Sequence, residues 1–375
     1  MTLDGRMRQA AESVRRYADA EVDPVAMLWR LRAHERRRSL QAAAVALALV
    51  AGLVAAVVLV ARVPRQPEVI APPSRSLGRV AATIALPQVT FPRAVGVAAG
   101  VVWVDGGNTG GNATAVRVDP KTNRVLGEVR LPAGSRLAAV GPGRLWLVDE
   151  AAGTVSQADL GGHPRRTVSV GWQWTARNPA EEGFRLAVDG NSVWVAVQHT
   201  GVAHIDWTRG KVTSRFTRPP GAGYYDLIAA GGGAALTHGE EDADQLDPRT
   251  GKATAIQLGG LPTGAAFAAG SFWASADNAT LARIDPTRRR VVATVHLDTN
   301  QLPGPVVVGD GAVWVYGGGG LLQRIDPATN RVVHTLPGIG SAQLGAGYGR
   351  LAAGAGAVWL SDAENHTLLR IDPNG

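Results

Sequence analysis

Residues 306–337 read VVVGDGAVWVYGGGGLLQRIDPATNRVVHTLP. An apolar run through Trp314 is followed by a Gly-rich turn, a second apolar run ending Arg324-Ile325-Asp326-Pro327, and a third from Val332. Versions of this unit recur through most of the chain. Trp103, Trp146, Trp194, Trp273, Trp314 and Trp359 fall in equivalent places, and Ala235 stands at the tryptophan position of one further copy. The partner aspartates are Asp119, Asp159, Asp206, Asp247, Asp285, Asp326 and Asp372. The tryptophan positions lie 38 to 48 residues apart, the period of a β-propeller blade and too long for a leucine-rich repeat.

Local chemistry makes the units β. Their apolar runs are short, rich in Val and Ile, and bounded by Gly, Asn and Asp-Pro turns. Residues 312–315 are apolar throughout, which suits a sheet packed on both faces. In Asp-Pro-x-Thr-Asn/Gly the Asp carboxylate can accept a bond from the backbone two residues on. Pro sets φ, and Asn123, Gly210, Gly251 or Asn330 accepts a positive φ. Arg289 holds that last position in one copy, so its turn is expected to be either strained or different.

The last copy stops at Asp372-Pro373-Asn374-Gly375 without its final strand, and residues 78–87, GRVAATIALP, match the missing strand. The expected fold is therefore all-β: a seven-bladed propeller over 77–375 whose N-terminal strand closes the last blade and leaves no open edge.

Size and composition agree. The 375 residues include 47 Gly and 22 Pro, which supply many turns, and no Cys, which excludes disulfides, thiolate zinc sites and cysteine catalysis. The net charge is +7, but residues 1–65 hold eleven Arg against six acidic residues, so the basicity belongs to the N-terminal end.

That end reads as a membrane anchor. Residues 1–40 form a basic, cytosolic, helical segment, with Met7, Ala10, Ala11, Val14 and Ala18 at helical spacing and Asp23-Pro24 starting a second helix. Residues 41–61 are the transmembrane signal anchor. The uncharged run Ala42 to Ala61 spans about 30 Å as a helix, the thickness of a bilayer core. Arg36, Arg37 and Arg38 face anionic lipid headgroups and place the N-terminus in the cytoplasm and the propeller outside it. No recognition motif accompanies this charge, so nucleic acid is not an expected partner. Residues 62–76, with four prolines, make a stiff linker up to roughly 45 Å long.

The Gly-x-x-Trp-Val and Arg-Ile-Asp-Pro-x-Thr-x-x-Val elements resemble those of seven-bladed YVTN/NHL propellers and of the streptogramin B lyase (virginiamycin B lyase-like) group. The resemblance covers residues 77–375. Likeness to the lyases implies a Mg²⁺-assisted elimination with a histidine base and glutamate ligands near the ring centre. Those blades carry an acidic residue shortly after the Trp strand. Here the places read Val104-Asp105, Val148-Asp149, Ala196-Val197, Ser275-Ala276, Tyr316-Gly317 and Ser361-Asp362. His199, His204, His238, His296, His334 and His366 fall at different blade positions, and none matches the catalytic histidine. No Gly-x-Ser-x-Gly, HExxH or phosphate loop is present, so no particular cofactor is indicated. The first 40 residues loosely resemble the cytosolic parts of actinobacterial membrane regulators, including anti-sigma factors, although a His-x3-Cys-x2-Cys zinc motif is impossible without cysteine.

Six tryptophans at one blade position read as packing and the aspartates as turn residues. Function should sit where the repeat breaks. In each blade the A–B and C–D turns share one face and the B–C and D–A loops the other, where irregularity collects. Loop 171–184 carries Trp172, Trp174 and Arg177; loop 218–226 carries Tyr224 and Tyr225; loop 238–244 carries His238, Glu240 and Glu241. Together they make a rim for a polar or cationic ligand. Alternatively the acidic loop is merely solvated and the two tryptophans cover blade edges; oxygen ligation of a metal at 238–244 follows no EF-hand spacing. The expected function is a membrane-anchored extracytoplasmic module that binds a ligand or protein, with a sensory role as one version, and without catalysis of its own. The alternatives are a lyase-like enzyme and a transmembrane regulator.

Overall fold

A computed structural model describes residues 79–87, 89, 94–109, 112–174, 183–217, 227–239, 242–299, 302–340 and 350–373. The expected cytosolic segment at 1–40, membrane span at 41–61 and linker at 62–76 lie outside these residues. Among the described residues no helix is long and apolar enough to cross a membrane.

The described chain forms 28 strands in seven four-stranded antiparallel sheets. Blades 1 to 6 take residues 95–130, 135–169, 184–217, 228–256, 262–296 and 303–336, with their strands A to D in chain order. Blade 7 takes Arg350–Gly354, Ala357–Asp362 and Thr367–Asp372, and its outer strand is Arg79–Ala85. Arg79 pairs with Asp372 and Ala85 with Thr367, so the N-terminal strand closes the last blade as the sequence predicts. The A strands touch one another in succession, and Val95–Ala98 meets Arg350–Gly354 to complete the ring.

Burial follows position in the blade. Second strands such as Ala312–Gly317 are buried at every residue, whereas outer strands such as Lys211–Thr217 expose alternate side chains. The six repeat tryptophans are all buried between blades. Opposite Trp273, Trp314 and Trp359 on the C strand stand Arg283, Arg324 and Arg370, whose guanidinium carbons lie 5.2, 5.6 and 6.0 Å from the indole centroids. These are cation–π stacks sealed from solvent on one side.

The arginine is not a fixed partner, since Gln157 faces Trp146 and His204 faces Trp194, and blade 4 lacks both members of the pair. The spacing places Ala235 at the tryptophan position, but the strand register corrects this by one residue: Leu236 stands there, facing Gln245 where Trp273 and Trp314 face arginines. The missing indole volume is supplied by the next blade. Phe267 lies against Gly231, where a Cβ would stand 2.0 Å from its ring, and it meets Phe272 edge-on at 4.9 Å.

Candidate functional site

The two faces of the ring are built by different rules. On the Asp-Pro face one turn recurs, except in blade 2, where Asp159 Oδ1 accepts the N–H groups of Gly161 and His163 in a longer turn. Asp119 Oδ1 accepts the Lys121 N–H at 2.8 Å and its Oδ2 accepts the Thr122 hydroxyl at 2.9 Å; Asp326 repeats both bonds with Ala328 and Thr329. These donors hold Asp119 and Asp326 below the usual carboxylate range, the backbone N–H of Lys121 or Ala328 being the largest cause. Asn123, Gly210, Gly251 and Asn330 all have φ between 54° and 68°. Arg289 has φ 53° and donates its N–H to the Asp285 carbonyl as its counterparts do. Its turn is thus the common one, in the left-handed region that a long side chain rarely adopts. Its guanidinium reaches the buried Asp247 of blade 4 at 3.0 Å, a contact that offsets the backbone cost.

These turns also join the blades. Arg283 donates to the Pro327 carbonyl at 2.8 Å, Gln245 to that of Pro286 at 2.7 Å, and Ser214 to that of Pro248 at 2.7 Å. Arg166 reaches the Trp207 carbonyl, and Arg370 the Asn123 amide oxygen at 3.4 Å. One blade's donor enters the next blade's turn at each of these joins.

On the opposite face the described contacts, within and between blades, use more varied groups. Asp105 accepts the Leu137 N–H, Ser275 donates to the Gly304 carbonyl, and a His366 ring nitrogen lies 2.9 Å from the Val89 carbonyl. Tyr316 donates to the Ile339 carbonyl at 2.8 Å; burial, with Asp362 nearby, pushes its phenol up to about 12. Back at the Asp-Pro end of blade 3, His204 takes the place of the stacking arginine beneath Trp194, held between Ser192 and Thr213 at 2.7 and 2.6 Å. Burial pushes its imidazole below the ordinary value, against the opposing pull of Asp206.

Of the residues singled out on this rim, Arg177, Tyr224, Tyr225, Glu240 and Glu241 lie outside the described residues. Trp172 and Trp174 are half-buried against the core shared by blades 2 and 3. The Trp172 backbone crosses Gly153 so closely that a Cβ there would stand 2.0 Å from its carbonyl oxygen, and its ring lies under Arg215 at 5.6 Å. Trp174 donates its backbone N–H to the Glu150 carbonyl, and its ring stacks on His199 with centroids 5.7 Å apart. Both tryptophans therefore cover a blade seam, each with part of its ring still open. The described part of the acidic loop is also built in: Asp242 Oδ1 accepts the Leu258 N–H at 2.7 Å.

His238 ends a B strand and lines a central cavity of about 670 Å³ walled by the A strands of all seven blades. Three arginines that the sequence reading passed over also line it: Arg136 of blade 2, Arg185 of blade 3 and Arg350 of blade 7. Arg136 is buried and bonded to Glu150 at 2.7 Å, and Glu150 in turn accepts the backbone N–H groups of Gly183 and Phe184. Leu261 and Leu302, 40% and 52% exposed, give blades 5 and 6 an apolar lip, with the exposed Asp277 beside it. Among the described lining residues, then, guanidinium groups outnumber carboxylates, and an apolar lip adjoins them. The missed signal was the dipeptide Arg-Leu at 136, 185 and 350, which opens three of the A strands.

Among the described residues no three His, Asp or Glu side chains gather as a metal-holding group. Asp105 and Asp362 are buried after their Trp strands, and Asp362 binds Asn365 through both oxygens. The described donors thus do not fit the magnesium site that likeness to the lyases implies.

No family model matches the chain, and no curated protein matches it. Its fold is nevertheless widely shared among solved structures. The crystal structure of BamB from Moraxella catarrhalis is similar with a TM-score of 0.50 and 12% identity, over 75% of this chain and 85% of that one. At this identity the likeness is one of fold: the chain is a β-propeller.

Proposed function

We propose that the chain is a membrane-anchored, extracytoplasmic propeller that binds a partner through its irregular face, without chemistry of its own. The ligand we infer is an acidic protein segment with apolar neighbours, seated over the central cavity. The observation that carries this reading is the convergence of Arg136, Arg185 and Arg350 on one cavity beside Leu261 and Leu302. Guanidinium groups suit carboxylates because planar forks donate paired, charge-assisted bonds. The half-buried Trp172 and Trp174 form a stiff flank on the same face. The membrane part of the proposal rests on the apolar run at 42–61 and the arginines before it.

The test is a thermal-shift screen of the full chain in detergent against glutamate-rich peptides, lysine-rich peptides, glycans and divalent metals. Stabilisation by acidic peptides that weakens on Arg350→Gln supports the binder. Stabilisation by Mg²⁺ that vanishes on substituting a rim His or Glu would instead favour the lyase-like alternative. Inward signalling through residues 1–40 is the second reading. It is checked by asking whether an acidic peptide outside changes protease sensitivity of that segment.

A further inference from the structure

The outer strands of the ring carry a pattern confined to one sector. Among the described residues the large apolar side chains standing in solvent are Val80, Val125, Leu126, Leu261, Val292, Leu302 and Val333. Leu261 and Leu302 belong to the central lip. The other five sit at the second or third position of the outer strands of blades 5, 6, 7 and 1, four neighbours in the ring. Each of these strands opens with an exposed arginine: Arg290, Arg331, Arg79 and Arg124. In blades 2, 3 and 4 the outer strands open with Pro164, Lys211 and Lys252, and none exposes a large apolar residue. In blades 5, 6 and 1 these positions follow C–D turns, and in blade 7 Arg79 pairs with Asp372 at the same end of the sheet, so the arginines and apolar groups share the Asp-Pro edge of the ring. Carboxylates there are already engaged: Asp119 and Asp326 hold their own turns, and Asp285 also pairs with Arg288 at 3.0 Å.

Cationic heads beside short apolar side chains are what an anionic bilayer surface accepts: the arginines meet headgroups while the valines and leucine enter the interface. The chain's course selects this occupant. Residues 1–78, with the apolar run at 42–61, lead into the ring at Arg79, the start of the outer strand of blade 7. Blade 7 lies inside the patterned sector, and the chain enters it on the patterned edge. We infer that blades 5, 6, 7 and 1 rest this edge on an anionic lipid surface, leaving the cavity mouth on the far face. This rests on reading 42–61 as a membrane span, and the two can fail separately.

The chain has no cysteine, so single cysteines bearing a polarity-sensitive fluorophore report single sites. We would place them by Val333→Cys and Leu126→Cys in the sector, Ala253→Cys on the outer strand of blade 4, and Ala51→Cys in the span. The full chain is reconstituted in phosphatidylcholine vesicles with and without phosphatidylglycerol. The expected result is a blue shift at 333 and 126 that needs phosphatidylglycerol and reverses on Arg331→Glu or Arg124→Glu, with none at 253. Equal emission at 333, 126 and 253 overturns the inference, even if the label at 51 shows the span inserted. A shift at 333 and 126 with the label at 51 still in water upholds the docking edge and removes the span.

Discussion

The Asp-Pro face and the face opposite it are made by the same strands, yet only one of them repeats. Each Asp-Pro turn does two jobs: it reverses the chain with its own carboxylate, and at joins such as Arg283 to Pro327 its carbonyl receives the previous blade. A residue with two structural duties has little freedom, so this face stays regular. Toward the opposite face the strands close their joins with different groups, a carboxylate at Asp105 accepting from Leu137 and a hydroxyl at Ser275 donating to Gly304, so the loops beyond carry no shared turn chemistry and can differ from blade to blade. Regularity thus marks where the ring is held, and variation marks where a ligand can be read.

The largest effect should come from opening the ring. A chain beginning at residue 90 lacks Arg79–Ala85 and leaves blade 7 with a bare edge. It should lose the single cooperative melting transition that a chain beginning at 70 shows; identical melting would remove the closure from the account. Next in size is the shared core. Trp314→Ala removes a fully buried indole and should cost about 3–5 kcal/mol in chemical denaturation. Trp172→Ala, half-buried on the variable face, should cost about 1–2 kcal/mol. Equal losses at the two positions would erase the distinction between the faces.

Smaller still is the Arg289–Asp247 pair between blades 4 and 5. Arg289→Ala removes one partner of a carboxylate that is 8% exposed and keeps the Arg249 N–H, and should cost about 1 kcal/mol. A double-mutant cycle with Asp247→Asn should recover most of it as coupling.

The smallest effect expected is on pH dependence. Asp119, Asp285 and Asp326 are held below the unfolded carboxylate value by turn N–H groups, foremost those of Lys121, Arg288 and Ala328. A depressed folded pKa stabilises above the unfolded value of about 4 and is lost as pH falls through the folded one. Melting temperature should therefore fall as acid protonates the turns, and Asp326→Asn should flatten its share of that fall. Tyr316 acts at the other end. Its folded pKa is raised to about 12, so its contribution is present below pH 10 and fades above it. Tyr316→Phe should flatten the alkaline limb.

Much of the ring was legible in the sequence because its rules are local. Tryptophan spacing gave the blades, Asp-Pro chemistry gave the turns, and likeness between 78–87 and the other outer strands gave the closure. What escaped reading depends on direction across the ring. Arg136, Arg185 and Arg350 sit in A strands whose inward side is fixed only when seven blades close, so no local period marks them as neighbours. Phe267 replacing the absent indole of blade 4 is likewise a contact between blades that no single repeat encodes.

The central claim is that one face holds the ring and the other binds. It is tested most directly by titrating a glutamate-rich peptide with apolar residues into the full chain and two double variants. Arg185→Gln with Arg350→Gln should weaken binding about tenfold or more, a loss far larger than any accompanying change in melting temperature accounts for. Arg283→Gln with Arg324→Gln should lower the melting temperature and leave binding intact. Binding that survives loss of the cavity arginines, or that falls only when the Asp-Pro face is altered, would contradict the account.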